Sequence, residues 1–193
     1  NSGYGGAIFN AGDLTVAAPK NVFSGNIASD SGTVKSGGGA IHNRGNTNTS
    51  SLVVGVSNST NVFESNKSNA YGGAIVSRAF DGADQNSEII VNGTTSFSKN
   101  QSVLDGGAIW NAVASDNGTI GTSSIVFNGD TNFSNNSAGG TGGAIYNNDT
   151  ITFNGRNKFT GNVANGNPND IYNDGTVNFN GDTTLDGGIT GGG

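Results

Sequence analysis

Residues 126–147 read Val-Phe-Asn-Gly-Asp-Thr-Asn-Phe-Ser-Asn-Asn-Ser-Ala-Gly-Gly-Thr-Gly-Gly-Ala-Ile-Tyr-Asn. Three apolar pieces stand in this stretch, separated by Gly, Asn and Asp: one around Val126-Phe127, one at Phe133, one at Ile145. Each recurs along the chain. Gly-Gly-Ala-Ile occurs five times, starting at Gly5, Gly38, Gly72, Gly106 and Gly142, with a degenerate sixth copy at Asn169-Asp170-Ile171-Tyr172-Asn173. Between these copies lies Phe-x-x-Asn, at Phe23, Phe63, Phe97, Phe133 and Phe159, ending on Asn26, Asn66, Asn100, Asn136 and Asn162. A third piece precedes Phe97, Phe133, Phe159 and Leu185: Ile90-Val91-Asn92-Gly93, Val126-Phe127-Asn128-Gly129, Thr152-Phe153-Asn154-Gly155 and Asn178-Phe179-Asn180-Gly181.

The spacings close on themselves. Val91 to Phe97, Phe127 to Phe133 and Phe153 to Phe159 are six apart, and Phe63, Phe97, Phe133 and Phe159 each precede a motif Ile by twelve. Ile8 to Val16, Ile145 to Phe153 and Ile171 to Phe179 are eight apart, giving a unit of 26 residues. Longer repeats are this unit with insertions near 43–51, 77–88 and 111–123 in one connection and near 29–37 in another. Insertions confined to loops are how stacked repeats accommodate length change.

Such a unit reads as three short strands with three turns. It is too short for a four-stranded propeller blade, and no helix-period segment exists for ankyrin or leucine-rich units. The prediction is an all-β fold, a single-stranded parallel β-helix of about six coils of 26–36 residues, each strand pairing with its counterpart one coil on. The usual hand of parallel crossovers makes it right-handed. Six rungs ~4.8 Å apart give a rod of roughly 29 Å. Ile8, Ile41, Ile75, Ile109, Ile145 and Ile171 then form one inward column, and the Phe residues, ending in Leu185, a second. Two Asn columns follow, one on the Phe-x-x-Asn residues, one on Asn10, Asn43, Asn111, Asn147 and Asn173 with Ser77 interrupting. Stacked amides hydrogen-bond coil to coil, and Asn tolerates the left-handed turn conformation.

Composition agrees. With 34 Gly and 31 Asn in 193 residues, helices are starved. Eight basic against fourteen acidic residues exclude a nucleic-acid surface, and no apolar run is long enough for a transmembrane helix.

The alternation of Gly-Gly-Ala-Ile with Phe-x-x-Asn resembles the polymorphic membrane proteins of Chlamydia and related autotransporter passenger domains, over residues 3 to about 189. The resemblance implies a passenger exported to the bacterial surface, a right-handed β-helix, and adhesion to a host-cell protein or glycan without catalysis. It also implies that residues 1–193 are one repeat domain of a longer surface protein. End-to-end stacking into an extracellular filament is the structural alternative. A polysaccharide-degrading enzyme on the same solenoid is the second, and needs two facing carboxylates. Asp81, Asp84, Asp105 and Asp116 are the candidates, and none forms a cross-coil column with Arg44, Arg78 or Arg156.

His42 is the single His, so no zinc site is expected, and no cofactor. Calcium is the one ion that the Asp and Asn turns have oxygen ligands for, though the calcium-binding Gly-Gly-x-Gly-x-Asp repeat is absent. The residue after each motif Ile points outward by strand alternation. Phe9, His42, Val76, Trp110, Tyr146 and Tyr172 are therefore expected as an exposed aromatic stripe, a contact for glycan or protein, or else as aromatics stacking on one another. The three insertions that share one connection are expected side by side, as a second contact surface.

Overall fold

Alternation of apolar and polar residues at period two is what a half-buried strand needs, and every expected piece is one. The computed structural model describes residues 3–29, 36–45, 47–80, 85–113 and 121–193. Four sheets run the length of the molecule. The first stacks the motif strands Ile8–Asn10, Ile41–Arg44, Ile75–Ala79, Ile109–Val113, Ile145–Asn147, Ile171–Asn173 and Ile189–Thr190. The second holds Asp13–Val16 through Thr176–Phe179, and the third Lys20–Ser24 through Thr183–Leu185. Neighbours pair in parallel and in register, Ile109 on Ile75 and Ile145, Phe133 on Phe97 and Phe159, Leu185 on Phe159. The chain is a parallel β-helix.

A fourth sheet departs from the three-strand expectation. Residues just after the turn form two-residue strands, Ile27–Ala28, Lys67–Ser68, Gln101–Ser102, Ser137–Ala138 and Val163–Ala164. At its end Asn167–Pro168 folds back antiparallel on Val163–Ala164. With so few residues per strand, no apolar alternation announces them in the sequence.

The core is a set of columns. Phe23, Phe63, Phe97, Phe133 and Phe159 stack face to face with centroids 4.7–4.8 Å apart and planes within 9° of parallel. Phe127, Phe153 and Phe179 form a second stack at 5.0 and 5.2 Å. It meets the first edge-on, as at Phe97–Phe127, where the planes stand at 89°. Edge-to-face contact suits the ring quadrupoles, while the rung spacing fixes the stacking within each column. Ile41, Ile75, Ile109, Ile145 and Ile171 are fully buried beside them. Burying each such side chain is worth about 1.5–3 kcal/mol, so a thin column suffices for a chain poor in apolar residues.

The two glycines of each motif do different work. Gly5, Gly38, Gly72, Gly106 and Gly142 have φ between 54° and 72°, the left-handed region. The second glycine keeps ordinary φ but lies against the backbone of the next coil: a Cβ on Gly73 would run into the carbonyl of Gly107, and one on Gly107 into that of Gly143. The ladder Asn residues are not themselves left-handed, contrary to expectation. The left-handed residue is the one before, Gly25, Ser65, Lys99, Asn135 or Gly161.

Asn26, Asn66, Asn100, Asn136 and Asn162 form a ladder across five successive coils. Asn100 Nδ2 donates 3.0 Å to Asn136 Oδ1 and 3.0 Å back to the Phe63 carbonyl, and Asn100 Oδ1 accepts from Asn66 N and Nδ2. Asn66, Asn100 and Asn136 thus each tie three coils. The ladder ends on Asp170, which stands where the motif has Ala: its buried carboxylate accepts from Asn162 Nδ2 and from the amides of Gly187 and Gly188. In the second ladder Ser77 breaks the Asn series, and the gap is bridged by hydroxyls, Ser77 Oγ lying 2.8 Å from Ser87 Oγ and 2.9 Å from Ser123 Oγ.

Candidate functional site

Alternation turns the residue after each motif Ile away from the axis, as expected, but that column is not an open stripe. Phe9 is 48% exposed and Tyr146 and Tyr172 are half-buried, whereas His42, Val76 and Trp110 are buried. The covering groups are the tyrosines that precede two of the Gly-Gly pairs. Tyr4 meets His42 edge-on at 5.0 Å and Phe9 at 5.8 Å, and Tyr71 lies 5.0 Å from Trp110. Val76, Trp110 and Ala112, with Tyr71 and Tyr146 packed on them, make a small second core outside the coil. The sequence signal was present as Tyr-Gly-Gly at 4–6 and 71–73.

Stacking also consumes the ring faces. Trp110–Tyr146 and Tyr146–Tyr172 are stacked at 6.1 and 5.3 Å, with planes within 11° of parallel. Tyr146 thus has a ring on each of its two faces, whereas the next rung beyond Tyr172 carries Thr190. Burial pushes the Tyr146 hydroxyl up to about 12, with the charge of Asp105 adding to it. It is no acid at neutral pH.

His42 is enclosed as well. Its Nδ1 sits 3.2 Å from the Gly37 carbonyl, and Nε2 is buried without a hydrogen-bond partner. Burial above all, with Arg78 and Arg44 nearby, lowers its pKa to about 3. Arg44 and Arg78 are cross-strand neighbours, with guanidinium carbons 4.4 and 4.0 Å from the centre of the Phe80 ring.

Of the candidate carboxylates, Asp105 is engaged with the next coil, its Oδ1 accepting from Thr141 N and Oγ1. Asp81, Asp84 and Asp116 lie outside the described residues. Asp130 and Arg156 pair at 2.6 Å on the surface, exposed on both sides. Among the described residues no three His, Asp or Glu side chains gather to hold an ion, and no helix is long and apolar enough to cross a membrane.

The described ends of the three insertions do share one edge. Gly45 N donates to the Arg78 carbonyl, Gly121 N to the Phe80 carbonyl, and Thr122 N to Asn86 Oδ1. Residue 46 of the first insertion, residues 81–84 and 114–120 of the other two, and residues 30–35 of the fourth fall outside the described residues.

A surface feature that the sequence reading missed lies over the fourth sheet. A groove of about 570 Å³ runs across four coils, from Lys67 past Gln101 and Ser137 to Asn165. Its floor is the column of small residues Ser68, Ser102 and Ala138. The floor hydroxyls turn back to their own chain, Ser68 Oγ accepting from Ala70 N and Ser102 Oγ donating to the Leu104 carbonyl. The sequence signal, readable only afterwards, is a Ser or Ala two residues beyond each ladder Asn.

The repeat model of the Chlamydia polymorphic membrane proteins matches residues 22–44, 94–112 and 130–148. No curated protein and no solved structure matches the chain. Each matched segment contains one Phe-x-x-Asn and the Gly-Gly-Ala-Ile that follows it, so three coils of this solenoid carry the polymorphic membrane protein repeat on the residues that build its Phe, Asn and Ile columns.

Proposed function

We propose that this β-helix is an adhesive, non-enzymatic module displayed on a bacterial surface, which holds its lateral faces toward a host-cell protein or glycan. The repeat match supports a surface-exposed, autotransporter-like protein. The observation that carries the adhesive reading is the division of labour across the coil. Inward positions are spent on Phe, Ile and Asn columns, while a polar groove stays open across four coils. A rigid rod with one continuous lateral feature is suited to contact along its length. The groove lining contains no carboxylate and no His, in a chain with 14 acidic residues. Glycoside hydrolysis needs a pair of carboxylates, so this lining supports binding over cleavage.

The test is to display the chain on a non-adherent bacterium and count attachment to cultured epithelial cells. Attachment above the empty display strain is expected. Attachment equal to that strain, with the chain shown to be folded on the surface, would overturn the proposal.

A further inference from the structure

Resting on that adhesive reading, we infer that the groove over the fourth sheet binds an extended, neutral, β-1,4-linked glycan lying parallel to the coil axis. The wall side chains Lys67, Gln101 and Ser137 stand in register on successive coils, Val163 continues their column, and Asn165 lies two positions beyond it; none of the four polar residues spends a side-chain polar atom on a hydrogen bond to another described residue. Gln101 is the in-register partner of both Lys67 and Ser137, so these donors and acceptors repeat at the rung spacing. Three rungs span about 14 Å.

That spacing selects the ligand. An extended peptide presents side chains on one face every ~6.7 Å, out of step with rungs ~4.8 Å apart. In an extended β-1,4 chain successive pyranoses are turned over, so equivalent groups recur at every second sugar, close to two rungs apart, and every second rung meets an equivalent edge of the chain. Val103, 58% exposed on the wall, supplies an apolar contact for the C–H face of a ring. Lys67 is the one charged residue in the lining, which suits a neutral chain more than a polyanion. The shallow polar floor, hydroxyls turned inward, favours a ligand that brings its own hydroxyls to the walls.

Isothermal titration of the whole chain with cellohexaose and chitohexaose tests this, with curved maltohexaose and an extended uncharged heptapeptide as controls. Binding of at least one extended hexasaccharide, tighter than either control, is expected. Removing the wall polar groups in Gln101→Ala/Ser137→Ala should weaken it about tenfold or more. Filling the groove with Ser137→Tyr should abolish it, and far-UV circular dichroism checks that each variant is folded. No binding of either extended sugar at millimolar concentration, unchanged affinity in both folded variants, or equal binding of a control would overturn the assignment. Cell attachment by a chain that binds neither sugar overturns the glycan assignment and leaves the adhesive reading standing. Sugar binding by a chain that does not attach does the reverse.

Discussion

A methyl group added to Gly107 would collide with the Gly143 carbonyl one coil on, although its φ is ordinary. The backbone column it belongs to cannot spread, because flanking strands hold the rungs in register. Gly107→Ala should therefore lower stability by about 3 kcal/mol or prevent folding. Gly12→Ala, where an added Cβ meets nothing within 4 Å, should leave the urea midpoint unchanged or slightly raised. The same scale explains His42. Its folded pKa of about 3 lies below the ordinary 6.5, so the unfolded chain takes up the proton first. The stability tied to this residue is intact above about pH 6.5 and is lost as pH falls through that window toward 3. His42→Phe removes the titrating group and should flatten the fall in urea midpoint between pH 7 and pH 4. An equally steep fall in the variant would contradict the buried, neutral His.

Between elements, the ladders do unequal work, and burial decides which matter. Asn100 is fully buried and bonded to coils on both sides; truncating it strands the Asn66 amide and the Phe63 carbonyl without partners. Asn128 sits in a further ladder with Asn92, Asn154 and Asn180 that is just as regular, at 2.8–2.9 Å, but exposed to water. Asn100→Ala should cost about 3 kcal/mol in chemical denaturation and Asn128→Ala less than about 1. Equal costs would mean that regularity, rather than desolvation, gives these ladders their weight. The same contrast marks what was legible in the sequence. Ile, Phe and Asn columns were readable because each residue type recurs at one spacing. The fourth sheet was not, since two residues per strand carry no period. The groove followed it out of sight, its floor being Ser and Ala of no distinctive kind. His42 and Trp110 were placed on the right side of the strand yet given the wrong exposure, because Tyr4 and Tyr71 come from other strands' approaches and cover them only in three dimensions.

For the whole molecule, a stack in which each coil touches its neighbours should survive the loss of one. Asp130 to Gly155 is one complete coil, and Arg156 occupies the column position of Asp130, one unit of 26 residues on. Excising Asp130–Gly155 joins Gly129 to Arg156 and lets Asn157–Thr160 take the place of Thr131–Ser134 on Thr94–Ser98. The shortened chain should keep its β-sheet circular dichroism and a cooperative unfolding transition. Excising half as much, Asp130–Gly142, throws every later column out of register and should abolish that transition. This tolerance is also what suits the proposed role: coils can be added, lost or lengthened by insertion while the rung spacing persists.

The central claim is in-register parallel stacking, and paired cysteines test it directly in a chain that has no cysteine of its own. Ser98 and Ser134 are rung neighbours, while Thr160 lies one rung beyond Ser134. Neighbouring rungs put Cα atoms within disulfide range, and two rungs, about 9.6 Å, do not. On mild oxidation, the Ser98→Cys/Ser134→Cys variant should form an intramolecular disulfide while remaining folded, and Ser98→Cys/Thr160→Cys should stay reduced. A cross-link in the distant pair, or none in the adjacent pair, would contradict the wound coil.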